Sequence, residues 1–238
     1  MTMKNIIEVQ NITKYFGDLT ALDDLSVKVR EGEIYGLLGS NGAGKSTTIN
    51  ILLGFLQPEM GKATINGIDA VTSSNQSRKY IGYIPENVSL YGYLSGVENL
   101  DYFCKLAGKS HTEDQLRELL RESGLDDEAH NKRIKTYSKG MRQKVGIAIA
   151  LAKKAKVYLL DEPASGLDPL ASNELSSSLK NISENGAAIL MASHDIFRMR
   201  ETCDKIGILK SGKLIKEMDT KDVSTNELEK IYIDYMQS

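Results

Sequence analysis

The stretch Gly39-Ser40-Asn41-Gly42-Ala43-Gly44-Lys45-Ser46-Thr47 places three glycines, a lysine and hydroxyl side chains in the spacing G-x-x-x-x-G-K-[ST]. That spacing suits an anion. Glycines at 39, 42 and 44 remove Cβ atoms that would keep backbone N–H groups from wrapping a phosphate. Lys45 supplies a cation for β- and γ-phosphates, and the Ser46 hydroxyl a ligand for Mg²⁺. Farther along, Asp161 and Glu162 close the run Val157-Tyr158-Leu159-Leu160. Carboxylates at the carboxyl edge of an α/β strand stand where such sheets hold their ligands. A buried pair repels, so a cation beside them is physically sensible. Asp161 suits a Mg²⁺ shell through water. Glu162, one residue on, points the other way and suits activation of an attacking water. His194 lies in Ser193-His194-Asp195 at the end of another apolar run. A lone histidine is most often structural; one at a strand's carboxyl end can instead contact a γ-phosphate.

The elements needed to position these groups are legible around them. Ile34-Tyr35-Gly36-Leu37-Leu38 reads as a short buried strand ahead of the loop. Behind it, Ile49, Leu52, Leu53 and Leu56 form one apolar face of a helix beginning near Lys45. This setting argues against the plainer reading, a flexible glycine turn with a chance lysine, and the helix start adds its unpaired N–H groups to the anion site. Residues 6–12 and 25–29 alternate apolar and polar, as half-buried strands of an antiparallel layer do. Between them Tyr15 and Phe16 precede a turn; on their own they read as a packing contact at a strand end, with stacking on a base as the alternative. Ala63-Thr64-Ile65 enters a tight turn at Asn66-Gly67, and residues 80–84 form another buried strand ending at Pro85-Glu86.

From 87 to 155 the pattern turns helical. Val97, Leu100, Tyr102-Phe103 and Leu106 mark one helix, and Thr112 with Gln115 resembles the capping box of a second. Ser138 is a natural N-cap for a third, which carries Met141, Val145, Ala148, Ile149 and Ala152 on one face. Six basic residues fall between Lys132 and Lys144; such a run is usually a solvated face, and otherwise supports an anion near the helix start. A turn at 165–169, a helix with Leu175 and Leu179, a strand at 187–192, a hairpin about Lys210-Ser211-Gly212 and a polar, helical tail complete the chain.

The bulk properties are those of an ordinary globular protein: 238 residues, 41% hydrophobic, 26% charged and a net charge of −2. No global field draws it to nucleic acid or anionic lipid. Cys104 and Cys203 have no metal-site spacing and form no disulfide framework, which fits a reducing compartment. The N-terminal residues lack the apolar core of a secretion signal. No apolar run approaches the ~18 residues of a membrane span, so any action across a membrane requires another chain.

In this order the pieces resemble the nucleotide-binding subunit of an ATP-binding cassette (ABC) transporter, over roughly residues 5 to 217. The narrowing feature is Tyr137-Ser138-Lys139-Gly140-Met141 about 20 residues before Asp161-Glu162, with Ser165-Gly166-Leu167-Asp168 and His194 after. The resemblance implies an α/β P-loop NTPase core with an antiparallel β subdomain (1–86 and 156–217), an inserted helical subdomain (87–155) and a short tail (218–238). It implies an ATPase using ATP and Mg²⁺, acting as a head-to-tail dimer with two ATP molecules between subunits, either a homodimer or a pair with a paralogue. The phosphate loop, residues 39–47, would cradle the triphosphate with Lys45, and Ser46, Asp161 and Glu86 would attend the metal. Glu162 would polarise the water and His194 contact the γ-phosphate. Phe16 rather than Tyr15 matches the family's adenine-stacking position. Ser138 and Gly140 would act on the other subunit's ATP, and Asp168 would lie at the subunit boundary. Two departures stand out: Glu86 replaces the usual glutamine, and the signature Leu-Ser-Gly-Gly-Gln has Tyr137, Lys139 and Met141 at its variable corners. Both look like the branch that includes bacitracin- and multidrug-type exporters. The partner implied is a membrane permease whose short cytoplasmic helix seats on residues 87–135, holding the protein at the inner face of the cell membrane; nucleic acid is not expected. A cassette ATPase with a soluble task in assembly or maintenance, and a non-hydrolysing regulatory module, are the rival readings.

Overall fold

The computed structural model describes residues 4–237. Met1, Thr2, Met3 and Ser238, the first three part of the stretch read for a secretion signal, lie outside the described residues. Strands β1 (Asn5–Phe16) and β2 (Leu19–Arg30) pair antiparallel. From Leu25 to Arg30 the β2 side chains alternate strictly between core and solvent, the signature of a sheet with one wet face. β3 (Ile34–Leu38) is buried at every position and leads through the glycine loop into α1 (Lys45–Leu52). Then come β4 (Met60–Ile65), β5 (Ile68–Asp69), the single-turn α2 (Ser74–Ser77) and β6 (Ile81–Ile84).

Three helices follow: α3 (Gly96–Leu106), α4 (Glu113–Glu122) and α5 (Lys139–Ala152). The chain returns to the sheet with β7 (Val157–Asp161), α6 (Pro169–Glu184), β8 (Ala188–Ser193), α7 (Ile196–Thr202), β9 (Lys205–Lys210) and β10 (Lys213–Asp219), and closes with α8 (Thr225–Gln237).

Two sheets organise these elements. A four-stranded antiparallel sheet runs β2-β1-β4-β5, and a six-stranded sheet runs β10-β9-β3-β8-β7-β6. In the second, β6, β7, β8, β3 and β9 are parallel and β10 returns antiparallel along the edge. β3, β7 and β8 are completely buried because parallel strands are covered on both faces. One apolar core joins the antiparallel sheet to α1 and one face of the parallel sheet. A second lies on the opposite face under α5, α6, α7 and α8. A third is internal to α3, α4 and α5. Consecutive parallel strands leave their carboxyl ends on one edge, and that edge collects the groups singled out in the sequence.

Several local expectations change. α1 stops at Leu52: Leu53 caps it and Gly54 turns the chain with φ 69°. Leu56 therefore packs on the core from the turn after the helix, not from its face. The helix marked by Val97, Leu100, Tyr102-Phe103 and Leu106 is α3, although Leu106, its last residue, is 72% exposed. The capping box at Thr112 is present, with Gln115 N–H donating to Oγ1 at 3.4 Å and the Thr112 N–H to Gln115 Oε1 at 2.9 Å. A second box at Ser95 and Glu98 starts α3. The polar tail is anchored: Leu228 of α8 is fully buried. Both cysteines are free and buried; burial pushes the Cys104 thiol up to about 11. No helix of the described residues is long and apolar enough to cross a membrane.

Candidate nucleotide site

The loop between β3 and α1 is fixed from behind. A Cβ on Gly39 would stand 2.6 Å from the Leu209 carbonyl oxygen of β9, and one on Gly44 would stand 2.7 Å from that of Ala21. These glycines let the loop press against its own scaffold, while Gly42, at φ 80°, has open space around it. No side chain caps α1 and no acidic residue stands in its first turn. Its leading N–H groups thus have no competing side-chain acceptor, the condition for anion binding at a helix start. A cation at the same end opposes the helix dipole. Lys45 meets that cost locally: its Nζ donates to the carbonyls of Gly39 at 2.8 Å and Ser40 at 3.1 Å, and lies 3.5 Å from Oε1 of Glu162.

Beside the loop lies a cavity of about 270 Å³ lined by Asn41 to Thr47 together with Phe16, Leu19, Ala21, Glu86, Asp161 and Glu162. Phe16 is the aromatic that reaches it, at the end of β1; Tyr15 does not line it. The Phe16 segment is clamped, since Glu59 Oε1 pairs with Lys14 Nζ at 2.8 Å while Oε2 accepts the Tyr15 N–H at 2.8 Å. The Lys14 ammonium sits 5.3 Å from the Phe16 ring centroid.

Asp161 ends β7 opposite Ala192 of β8. Glu162 leaves the strand in the left-handed region, φ 47°, its N–H donating to the Ala192 carbonyl at 2.9 Å. The alternation expected of a continuing strand therefore breaks, and both carboxylates line the one cavity. Ser193 Oγ donates to Glu162 Oε2 at 2.8 Å, and Nδ1 of His194 lies 2.8 Å from Oε1. Ser193 was not assigned a role from the sequence; the register places it directly beyond Ala192, beside the residue that follows Asp161. His194 does not line the cavity but stands over it through Glu162, with most of its side chain exposed.

The acidic groups fit a divalent cation. Asp161 is buried and its Oδ1 has no hydrogen-bond partner. Burial pushes its carboxyl above the usual carboxylate range; the Glu162 and Glu86 charges act the same way, while the Ser46 hydroxyl and Lys45 oppose them. Among the described residues no group of three or more His, Cys, Asp or Glu forms a metal site by itself. That donor set suits Mg²⁺, which keeps waters and takes one or two protein ligands plus substrate phosphate oxygens.

Ser138 and Gly140 lie outside this cavity. Ser138 is exposed and caps α5, its Oγ accepting the Met141 N–H at 3.1 Å. The basic run divides: Lys132, Arg133 and Lys135 face solvent, whereas Lys139, Arg142 and Lys144 bond to Ser165 Oγ and to the carbonyls of Tyr137 and Gly124. Asp168 caps α6 by accepting the Ala171 N–H at 2.9 Å.

Comparison with known proteins gives a consistent result. A family described as ABC transporter matches residues 22–165. The ABC transporter ATP-binding protein YhcH of Bacillus subtilis, itself described as uncharacterized, is 42% identical over 94% of this chain and 73% of its own length. The bacitracin transport ATP-binding protein BcrA of Enterococcus faecalis is 34% identical over 94% of this chain and 72% of its own. A dimeric, post-hydrolysis structure of the ATP-binding cassette MJ0796 bound to ADP and Pi superimposes with a TM-score of 0.82, at 26% identity, covering 90% of this chain and 98% of that one.

Proposed function

The chain belongs to the ABC transporter family, and from that premise we propose that it is the ATP-hydrolysing subunit of an exporter, driving a separate membrane permease through closure and reopening of a nucleotide-bridged dimer. The observation that carries the reading is the placement of Glu162. Its two oxygens are engaged by Ser193 and His194, and Lys45 stands 3.5 Å away across the phosphate loop. A carboxylate oriented from both sides beside a phosphate-binding lysine is poised to take a proton from water attacking a γ-phosphate.

In this reading the residues 39–47 cradle the triphosphate and Phe16 stacks on the adenine. Ser46, Asp161 and Glu86 attend Mg²⁺, which when bound neutralises charge on the phosphate oxygens. Lys45 exchanges its carbonyl contacts for phosphate, and His194 keeps Glu162 aimed while facing the γ-phosphate. The exposed start of α5, with Ser138 and Gly140, completes the site of a second subunit, a homodimer partner or a paralogue. Losing the γ-phosphate removes charge-assisted hydrogen bonds worth about 1.5–3 kcal/mol each, which lets the dimer reopen. The dimeric relative supports this arrangement, and the relative named for bacitracin transport supports export.

The permease would seat on the helical segment. A groove of about 440 Å³ there is lined by Tyr83, Pro85, Val88, Leu90, Phe103 and Ile149. Pro85 lines this groove and Glu86 lines the nucleotide cavity. Consecutive residues thus connect the two, which supports transmission between a seated permease helix on the cytoplasmic side and the triphosphate. The test is phosphate release from Mg-ATP by the chain with its permease. Wild-type turnover that Glu162→Gln abolishes while keeping ATP binding supports the reading; a chain inert with Mg-ATP beside its permease overturns it.

A further inference from the structure

Lys139 occupies the first turn of α5, a position where the helix dipole disfavours a cation, and no acidic side chain stands in that turn. Its Nζ donates to Ser165 Oγ at 3.0 Å. The aliphatic stem crosses Gly166, which holds φ 81°; a Cβ on Gly166 would lie 2.9 Å from Lys139 Cδ. The Gly166 carbonyl oxygen is 3.2 Å from where a Cβ on Gly140 would be. Ser165 is in turn bound to the residue that matters, its N–H donating to the Glu162 carbonyl at 3.0 Å. Two consecutive hydrogen bonds therefore run from the start of α5 to the backbone of Glu162, along a contact too close for a side chain at Gly166. Farther along α5, Lys144 Nζ lies 4.0 Å from Glu174 of α6, the helix that follows this turn.

We propose that Lys139 is a positioning residue for hydrolysis: through Ser165 it ties the turn bearing Glu162 to the helix start bearing Ser138 and Gly140. The inference rests on the reading of Glu162 as the general base and of that helix start as the surface offered to a second subunit's nucleotide. Its content is new to that reading. One subunit's engagement with its partner's ATP is relayed, within that same subunit, to the carboxylate serving its own ATP. A displacement of α5 then disturbs Glu162 without any change in the phosphate loop.

The test uses the full chain and Mg-ATP. Lys139→Met keeps the stem over Gly166 and removes the ammonium. We expect kcat to fall about tenfold, the scale of a slightly misplaced catalytic group, with KM for ATP held within about twofold. Ser165→Ala should reproduce the fall, the double variant should be no worse than either single one, and Lys139→Arg should recover part of the rate. Independently of turnover, amide hydrogen exchange across 162–168 should quicken in Lys139→Met at an unchanged melting temperature. Unaltered exchange across that turn, losses that multiply in the double variant, or a KM that rises as kcat/KM falls would each overturn the proposal. If the wild type binds ATP but does not hydrolyse it, the reading of Glu162 fails instead, and the exchange measurement still decides whether Lys139 holds the turn.

Discussion

The Ser193 hydroxyl donates to Oε2 of Glu162 at 2.8 Å across the carboxyl ends of two neighbouring strands. Both groups are buried, and Glu162 holds a left-handed backbone. That conformation costs a non-glycine residue of order 1 kcal/mol or more and persists where surrounding contacts over-determine it. Ser193 and His194 supply those contacts.

Ser193→Ala should therefore lower kcat about tenfold while leaving ATP affinity near wild type, because it releases one oxygen of Glu162, the proposed base, and removes no side chain that lines the nucleotide cavity. Paired steady-state kinetics and nucleotide titration check this. A loss of affinity matching the loss of rate would move Ser193 into the binding site.

Glu162→Gln should keep ATP binding and lose about 10²–10⁴-fold in turnover, the range for removal of a general base. With Mg-ATP it should accumulate dimers visible in size-exclusion chromatography. Full hydrolysis by this variant would exclude Glu162 as the base.

Asp161→Asn should stabilise the nucleotide-free protein at neutral pH. Its carboxyl is held above its unfolded value, chiefly by burial, so the folded chain binds this proton more tightly than the unfolded chain. Stability is lost as pH rises from the unfolded carboxylate value, near 3.9, through the raised folded value. Replacing the ionisable group removes that loss. If burying the charge costs about 1 kcal/mol, melting should rise by about 2–4 °C at pH 7 and the gain should shrink toward pH 4. In Mg-ATP the order should reverse, the wild type gaining more from ligand than the variant. Thermal melts at two pH values, with and without Mg-ATP, decide it.

Phe16→Ala should weaken ATP binding about 5–150-fold, equivalent to the ~1–3 kcal/mol of a base stacked on an aromatic ring. Tyr15→Ala should change it little, since only Phe16 lines the cavity. Equal losses from the two variants would dissolve the distinction.

Much of this was legible because it depends on local spacing. The phosphate loop, the apolar runs that became β3, β7 and β8, and the hydroxyl caps at Thr112 and Ser138 are properties of short segments. What escaped depends on which segments meet. The need for glycine at 39 and 44 comes from Leu209 and Ala21, far away or upstream in sequence, so their spacing gave the right motif with only part of its reason. Glu162 and Ser193 converge because β7 and β8 are neighbours in register, which no pattern within either strand reveals. Leu56 and Leu106 follow helical periodicity, yet periodicity continues on paper after Gly54 has ended the helix and cannot say where the core runs out. The contact between Lys139 and Ser165 joins two motifs read separately as signature and turn.

The closing helix has a practical bearing on handling the protein. Its own Leu228 is fully buried, Arg200 of α7 donates to the Val223 carbonyl just ahead of it, and Lys210 donates to the Tyr235 carbonyl within it. α7 begins two residues after His194. Trimming the chain behind the last strand would thus take Leu228 out of the apolar cluster it shares with Ile206 and Ile208, leaving oily surface prone to clumping on storage, and would slacken the segment from which the histidine hangs.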